Sequence, residues 1–229
     1  MKSKKLIALA MTTMVISTSA SAATLMLRQE HKSNDQNDAN TNATLVKIGG
    51  SIGNTFIGTQ IIHKGKHLNS YTLGSTEMQL GHRYSVNEDL RVIPQLQVTA
   101  VGSGIIYTPM AAVDYKLGGG FSIQPLYKHK FHVGVKDGEY NDTKQTSQYQ
   151  LSLNYAKDAL RLGIQYDYHK ALDGQKFYND REFKQEVELK AYYRVARGLT
   201  PFVTFAGVPE GNKSDKYQLR TRLGLLYSF

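Results

Sequence analysis

Charged residues recur at every second position in several parts of this 229-residue chain. Arg220 and Arg222 form one such pair, and Glu186 and Glu188 form another. Residues two apart lie on the same face of a β-strand. Arginine binds a carboxylate through two parallel hydrogen bonds, and lysine acts as a mobile point charge. Because tracks of such side chains select anions, the spacing predicts strand faces that bind or conduct them.

Residues for other kinds of chemistry are sparse. The chain has no cysteine, which excludes disulfides, thiol nucleophiles and thiolate metal sites. A hydrolase would need a histidine beside a nucleophile or a carboxylate, and no serine, histidine and acidic residue form a recognisable group. Gly118-Gly119-Gly120 predicts a turn rather than a phosphate loop, because no helix follows it. No catalytic residue, metal site or cofactor is predicted.

The final segment of the chain indicates which elements carry the charged faces. Tyr217–Phe229 alternates between an apolar face with aromatic ends and a face that holds the two arginines. Such a strand suits the boundary between lipid and water. The terminal Phe229 looks like the C-terminal signature of bacterial outer-membrane barrels, which predicts recognition by the barrel-insertion machinery.

The first residues predict export. Lys2, Lys4 and Lys5 precede an apolar stretch, Leu6 to Ile16, which is too short to span a bilayer as a helix. A small-residue cleavage site follows at Ala20-Ser21-Ala22. The sequence therefore predicts a signal peptide at residues 1–22 and one domain at residues 23–229. Loss of the three signal lysines would lower the formal net charge from +9 to +6.

The rest of the chain divides into twelve strand-like segments with connections of alternating length. The predicted strands are Ala23–His31, Ala43–Ser51, Thr55–Lys64, Leu73–Tyr84, Leu90–Ala100, Ile105–Leu117, Gly120–Val133, Ser147–Ala156, Ala159–Lys170, Phe183–Val195, Leu199–Val208 and Tyr217–Phe229. Lys32–Asn42 and Gly134–Thr146 are long polar connections, whereas Gly118–Gly119 and Lys157–Asp158 are tight turns. This layout predicts an all-β fold, a transmembrane antiparallel up-and-down β-barrel of 12 strands with short periplasmic turns and longer extracellular loops.

A water-soluble β-sandwich or barrel is the alternative, with the apolar faces turned inward. Three features favour a membrane barrel, in which the apolar faces are turned outward to lipid. The polar faces carry long charged side chains over whole strands, the apolar faces end in tyrosine or phenylalanine, and both chain ends match an exported barrel protein.

Several short segments resemble the oligogalacturonate-specific porin (KdgM) family, which includes NanC-type sialic-acid channels. The matching segments are Ala23–Arg28, Gly102–Met110, Tyr127–Lys130, Leu199–Val203 and Leu225–Phe229. The resemblance implies a monomeric twelve-stranded barrel that passes acidic sugars. This chain differs in that lysine and histidine replace part of the arginine and tryptophan is absent.

With the apolar faces turned to lipid, thirteen basic and six acidic residues are predicted to face inward. The predicted pore-lining basic residues are Arg28, Lys47, Arg83, Arg91, Lys128, Lys130, Arg161, Lys190, Arg194, Arg220 and Arg222, with Lys116 and Lys184 in addition. The acidic residues are Glu30, Glu77, Asp114, Asp167, Glu186 and Glu188. Inward glutamines, among them Gln95, Gln97, Gln148 and Gln165, could hydrogen-bond sugar hydroxyls.

The excess of positive charge predicts a porin for anionic, uronate-type oligosaccharides. In that hypothesis Arg220, Arg222, Arg161, Lys128 and Lys130 line one cationic path. The expected partners are acidic oligosaccharides, outer-membrane lipid or lipopolysaccharide, and the assembly machinery through Phe229, with no nucleic acid and a monomeric state. Two alternatives remain open: a closed structural or adhesive barrel, in which acids neutralise the basic residues, and a barrel enzyme.

Overall fold

The computed structural model describes residues 22–33, 41–67, 70–136, 139–211 and 213–229. Side chains are described for the same ranges except residues 22 and 135–143. The predicted signal peptide, residues 1–22, lies outside the described residues apart from Ala22, so it stays a prediction. No helix in the described part of the chain is long and apolar enough to cross a membrane.

The described residues form one closed antiparallel barrel. Its strands are β1 (Ala22–Lys32), β2 (Asn42–Ile52), β3 (Thr55–Gly65), β4 (Thr72–His82), β5 (Tyr84–Ser85), β6 (Leu90–Val101), β7 (Gly104–Gly118), β8 (Phe121–Lys136), β9 (Glu139–Lys157), β10 (Leu160–Ala171), β11 (Phe183–Tyr193), β12 (Leu199–Pro209) and β13 (Tyr217–Ser228).

β5 continues β4 after a break at Arg83, so the described segments make twelve wall strands. Each strand pairs with its neighbours in sequence, and β4 and β5 both pair with β6. The first strand, β1, pairs with the last, β13, which closes the sheet. Closure leaves no unpaired edge in a lipid environment. The predicted fold class is therefore confirmed.

Side-chain exposure shows which face of the wall is turned outward. On β13, Leu219 and Leu223 are 50 % and 60 % exposed. Gln218, which points to the opposite face of the same strand, is 6 % exposed. Large exposed apolar side chains recur in the same alternation around the barrel, as on β10 at Leu162 and Ile164. A soluble barrel would bury these residues, so the pattern is that of an apolar surface facing lipid.

One predicted connection is instead a β-hairpin. Gly134–Thr146 was expected to be a polar loop, but β8 continues to Lys136 and β9 begins at Glu139. A register shift between Val133 and Val135 precedes the extension. The prediction was wrong because it relied on apolar alternation. The apolar alternation of the sequence ends near Val135, while the backbone ladder continues.

Close packing on the inner face constrains one glycine. Phe202 on β12 is 7 % exposed, stacks on Tyr192 at 5.0 Å between ring centroids, and lies opposite Gly224 on β13. A Cβ on Gly224 would overlap the Phe202 ring and lie 2.7 Å from the Leu27 carbonyl oxygen. Only glycine therefore lets the ring cover β13.

Gly224→Ala is expected to destabilise the barrel by about 1–3 kcal/mol, because overpacking forces the ring or the backbone to move. The urea midpoint of unfolding in micelles measures this effect. Gly207→Ala is the matched control, since a Cβ at Gly207 meets no atom within 4 Å. Equal midpoints for the two variants would contradict the packing argument.

Candidate channel lumen

The inner face of β11, β13 and β1 carries a connected set of charges, called here the ion-pair network. Arg220 contacts Glu186 at 3.2 Å and Glu188 at 3.3 Å. Arg222 contacts Glu188 at 3.0 Å and Glu30 at 2.7 Å. These side chains are between 7 % and 17 % exposed, so each charge has its partner in a largely enclosed place.

Short side chains on β12 make the network possible. Arg222 lies opposite Thr204, and Arg220 lies opposite Ala206. Because both β12 residues are small and fully covered, the arginines of β13 extend across that strand to the glutamates of β11. The sequence indicated which residues face inward, but not that they bridge a strand.

Two further basic residues join the same carboxylates. Lys184 contacts Glu186 at 2.6 Å, and Arg28 lies 3.9 Å from Glu30. The network thus contains four basic residues, Arg28, Lys184, Arg220 and Arg222, and three acidic ones, Glu30, Glu186 and Glu188. Four minus three leaves an excess of one positive charge, so most of the charge in this sector is internally compensated.

A second sector holds a hydrogen-bonded row of glutamines. Lys47 on β2 donates to Gln79 on β4 at 3.2 Å, and Gln79 donates to Gln95 on β6 at 2.6 Å. The Lys47 side chain passes close to Gly58 on the intervening β3, where a Cβ would be in ordinary contact with Lys47 Cε at 3.5 Å. Gln79 was absent from the predicted inward glutamines, although its position two residues after Glu77 on β4 is the signal that could have identified it.

Two further inward carboxylates, Glu77 and Asp167, are held by amides. Gln97 donates to Glu77 at 2.7 Å. Gln148 donates to Asp167 at 2.9 Å, and Gln165 donates to the other oxygen of Asp167. Lys190 donates to Gln165 and so reaches Asp167 only through an amide. Glutamines therefore fix these carboxylates without neutralising them.

Lys128 and Lys130 on β8 differ from the cations of the ion-pair network. Neither makes a hydrogen bond or an ion pair with any residue that the structure describes. Lys128 has Asp167 and Glu77 as acidic electrostatic neighbours, and Lys190 and Lys47 as basic ones. Glutamines hold these carboxylates in place, so that neither lysine is in direct contact with an acid among the described residues, and a mobile anion can contact both ammonium groups.

Other predicted pore-lining residues lie near the short-turn end of the barrel. The Arg83 guanidinium lies 4.5 Å from the Phe56 ring centroid. Arg194 is exposed and donates to the Asp158 carbonyl at 3.4 Å. Arg161 is exposed as well, so these cations line a mouth rather than the middle of the wall.

Two more cations belong to this mouth. Arg91 pairs in register with Asp114, and Lys116 donates to the Glu88 carbonyl at 2.6 Å. The thirteen predicted basic residues thus fall into three groups. Four belong to the ion-pair network, five lie at the mouth, and the remaining four are Lys47, Lys128, Lys130 and Lys190. Among the described residues, no group of three or more histidines, aspartates and glutamates is arranged to hold a metal ion.

Comparison with known proteins identifies the barrel. The sequence profile of the oligogalacturonate-specific porin protein (KdgM) family matches residues 16–229. The chain belongs to the KdgM family. Members of this porin family are outer-membrane channels, so the protein is a channel of the bacterial outer membrane and not an enzyme. No curated protein matches the sequence itself.

Solved structures support the same fold for this KdgM-family chain. A KdgM porin is similar with a TM-score of 0.69 and 14 % identity, covering 90 % of this chain and 99 % of that chain. The KdgM porin in complex with disordered oligogalacturonate has a TM-score of 0.69 and 15 % identity, with the same coverage. An outer-membrane channel from Pseudomonas putida F1 has a TM-score of 0.69 and 10 % identity, covering 93 % and 97 %. Because the sequence identities are only 10–15 %, the structural similarity establishes the fold alone.

Proposed function

We propose that this KdgM-family channel is a monomer that passes anionic, uronate-type oligosaccharides, such as oligogalacturonate, into the periplasm. The observation that carries the proposal is the unpaired Lys128 and Lys130 on the inner face of β8. The family's description and the related porin bound to oligogalacturonate point to the same class of solute.

The chemistry of the solute fits the composition of the wall. An oligogalacturonate presents one carboxylate and several hydroxyls per sugar. Lysines attract the carboxylates as mobile point charges, and a low-dielectric wall strengthens their field in a narrow passage. On the same inner face, Gln95 accepts from Gln79 and Gln150 donates to Ser152, which leaves the other polar atom of each amide to exchange hydrogen bonds with hydroxyls. Attraction without a rigid, fully paired site lets the solute leave as well as enter.

A channel without preference for carboxylated sugars is the second candidate; the closed structural barrel that the sequence left open does not agree with membership of a porin family. The ion-pair network favours the unselective channel, because arginines and glutamates on the inner face between β1 and β11 neutralise each other. In such a channel the paired charge would serve stability alone. The two candidates differ in one measurable property, which is the preference for anionic solutes.

Liposomes containing the purified protein are expected to swell faster in trigalacturonate than in a neutral trisaccharide of similar size. Planar bilayers should show open single channels with preference for chloride over potassium. Empty liposomes and a heat-denatured sample are the controls. Channels that conduct without any preference for carboxylated sugars would support the unselective channel and contradict the proposal.

A further inference from the structure

A row of tyrosines crosses the outer surface of the barrel at the long-loop ends of β8, β9 and β10. Tyr127, Tyr149 and Tyr168 are successive partners in the strand register. Their ring centroids are 5.2 Å and 6.3 Å apart. Tyrosine has an apolar ring and a polar hydroxyl and gathers at the level of lipid headgroups. This row therefore marks the edge of the hydrocarbon layer on the long-loop side.

Cations lie directly beyond the tyrosine row. Lys170 follows Tyr168 by two residues on the same outer face and pairs in register with Phe183 on β11. The Phe183 ring stacks on Tyr168 at 5.9 Å, with 27° between the ring planes. The Arg181 guanidinium lies 5.6 Å from the Phe183 ring centroid. Lys170 and Arg181 thus flank one aromatic ring at headgroup level.

The side chains of Lys170 and Arg181 are both exposed. Neither side chain makes an ion pair or a hydrogen bond with a residue in the described part of the chain. Asp180, next to Arg181 in sequence, makes no ion pair with a described residue, and two other carboxylates nearby have different partners. Asp173 accepts from the backbone amides of Gln145 and Gln175, each at 3.2 Å, and Glu182 pairs with Lys176 at 3.2 Å.

The backbone around Arg181 is also fixed before any ligand binds. The Arg181 amide donates to the Tyr178 carbonyl at 2.8 Å, and the Arg181 carbonyl accepts from the Phe177 amide at 2.9 Å. A cation on an ordered turn loses less freedom on binding than one on a mobile loop.

We propose that Lys170 and Arg181 bind a phosphate group of lipopolysaccharide on the outer surface of β10 and β11. The long-loop side of an outer-membrane barrel faces the outside, where the leaflet is built from this phosphorylated glycolipid. Its acyl chains would lie along the exposed apolar face below the tyrosine row, at Ile164 and Tyr166. The site lies on the lipid side of the wall and is independent of what passes through the lumen.

The test measures binding of lipopolysaccharide to the purified full barrel in detergent micelles. Lys170→Gln with Arg181→Gln should weaken the affinity about tenfold, because two charge-assisted contacts to phosphate are lost. Lys157→Gln with Arg197→Gln removes the same charges from exposed positions at the short-turn end of this part of the wall and should leave the affinity unchanged. Lys170→Arg with Arg181→Lys keeps both charges and should bind like the parent.

Three results would overturn the proposal. One is parental affinity in the folded Lys170→Gln, Arg181→Gln variant. Another is equal binding of dephosphorylated lipopolysaccharide by the parent, which would mean that acyl chains alone are held. The third is displacement of lipopolysaccharide by millimolar inorganic phosphate, which would indicate a free-phosphate site. A gel shift on heating checks that each variant is folded.

Discussion

Replacing Lys128 and Lys130 together with glutamine is expected to lower the preference for chloride over potassium by up to about thirtyfold at low salt. A unit charge about 8 Å from a permeating ion contributes about 0.5 kcal/mol in water, and the effect is opposite for anions and cations, so two charges change the difference between the ions by about 2 kcal/mol. Neither lysine has an ion-pair partner among the described residues, so no carboxylate is left exposed by the change. The barrel should therefore keep its stability.

The reversal potential in a potassium chloride gradient measures this change. The loss of preference should be largest at about 0.01 M salt, where the screening length is about 30 Å, and small at 1 M, where it is about 3 Å. The control is Lys157→Gln with Arg197→Gln, which removes two charges outside the inner wall. If the lysine variant keeps the parental reversal potential, β8 does not carry the anion path.

Replacing Arg220 and Arg222 with glutamine is expected to have a different and more damaging result. Glu186, Glu188 and Glu30 would each lose an arginine partner while remaining largely enclosed. Leaving a buried charge without its partner costs about 3–5 kcal/mol. The urea midpoint should fall strongly, and anion preference should fall as well, because unpaired carboxylates then face the passage.

A fourfold variant separates pairing from net charge. Adding Glu186→Gln and Glu188→Gln to the arginine variant removes two negative charges along with the two positive ones. Both stability and chloride preference should return toward the parental values. A fourfold variant as unstable as the arginine variant would show that bulk and hydrogen bonding of these residues matter more than charge compensation.

Strand positions could be predicted closely from the sequence because lipid imposes a strict alternation. Phe183 and Tyr217 begin strands where the pattern places them, and most other ends differ by only one or two residues. The family resemblance, based on segments such as Leu199–Val203, is confirmed by the match over residues 16–229. Alternation also predicted which side chains of β13 face inward.

The partners of the inward charges could not be predicted in the same way. Arg220 is paired because Ala206 on the neighbouring β12 is small. The arginine side chain can therefore extend across β12 to Glu186 on β11. The sequence-based hypothesis put Arg220, Arg222, Arg161, Lys128 and Lys130 on one cationic path. That grouping stays a prediction, and the structure separates Arg220 and Arg222, which are paired, from the two lysines, which are not.

The contact between Arg222 and Glu30 also determines how the barrel can close. These residues belong to the last and first strands and lie directly opposite each other. A slip of two residues in one direction would place Glu30 opposite Arg220, and a slip in the other would place Glu30 opposite Gly224 and Lys32 opposite Arg222. Both errors keep every side chain on its proper face, so the hydrophobic pattern alone cannot reject them. The charges at the seam therefore favour the native alignment over the second slip, in which Glu30 would lose its arginine and two cations would face each other.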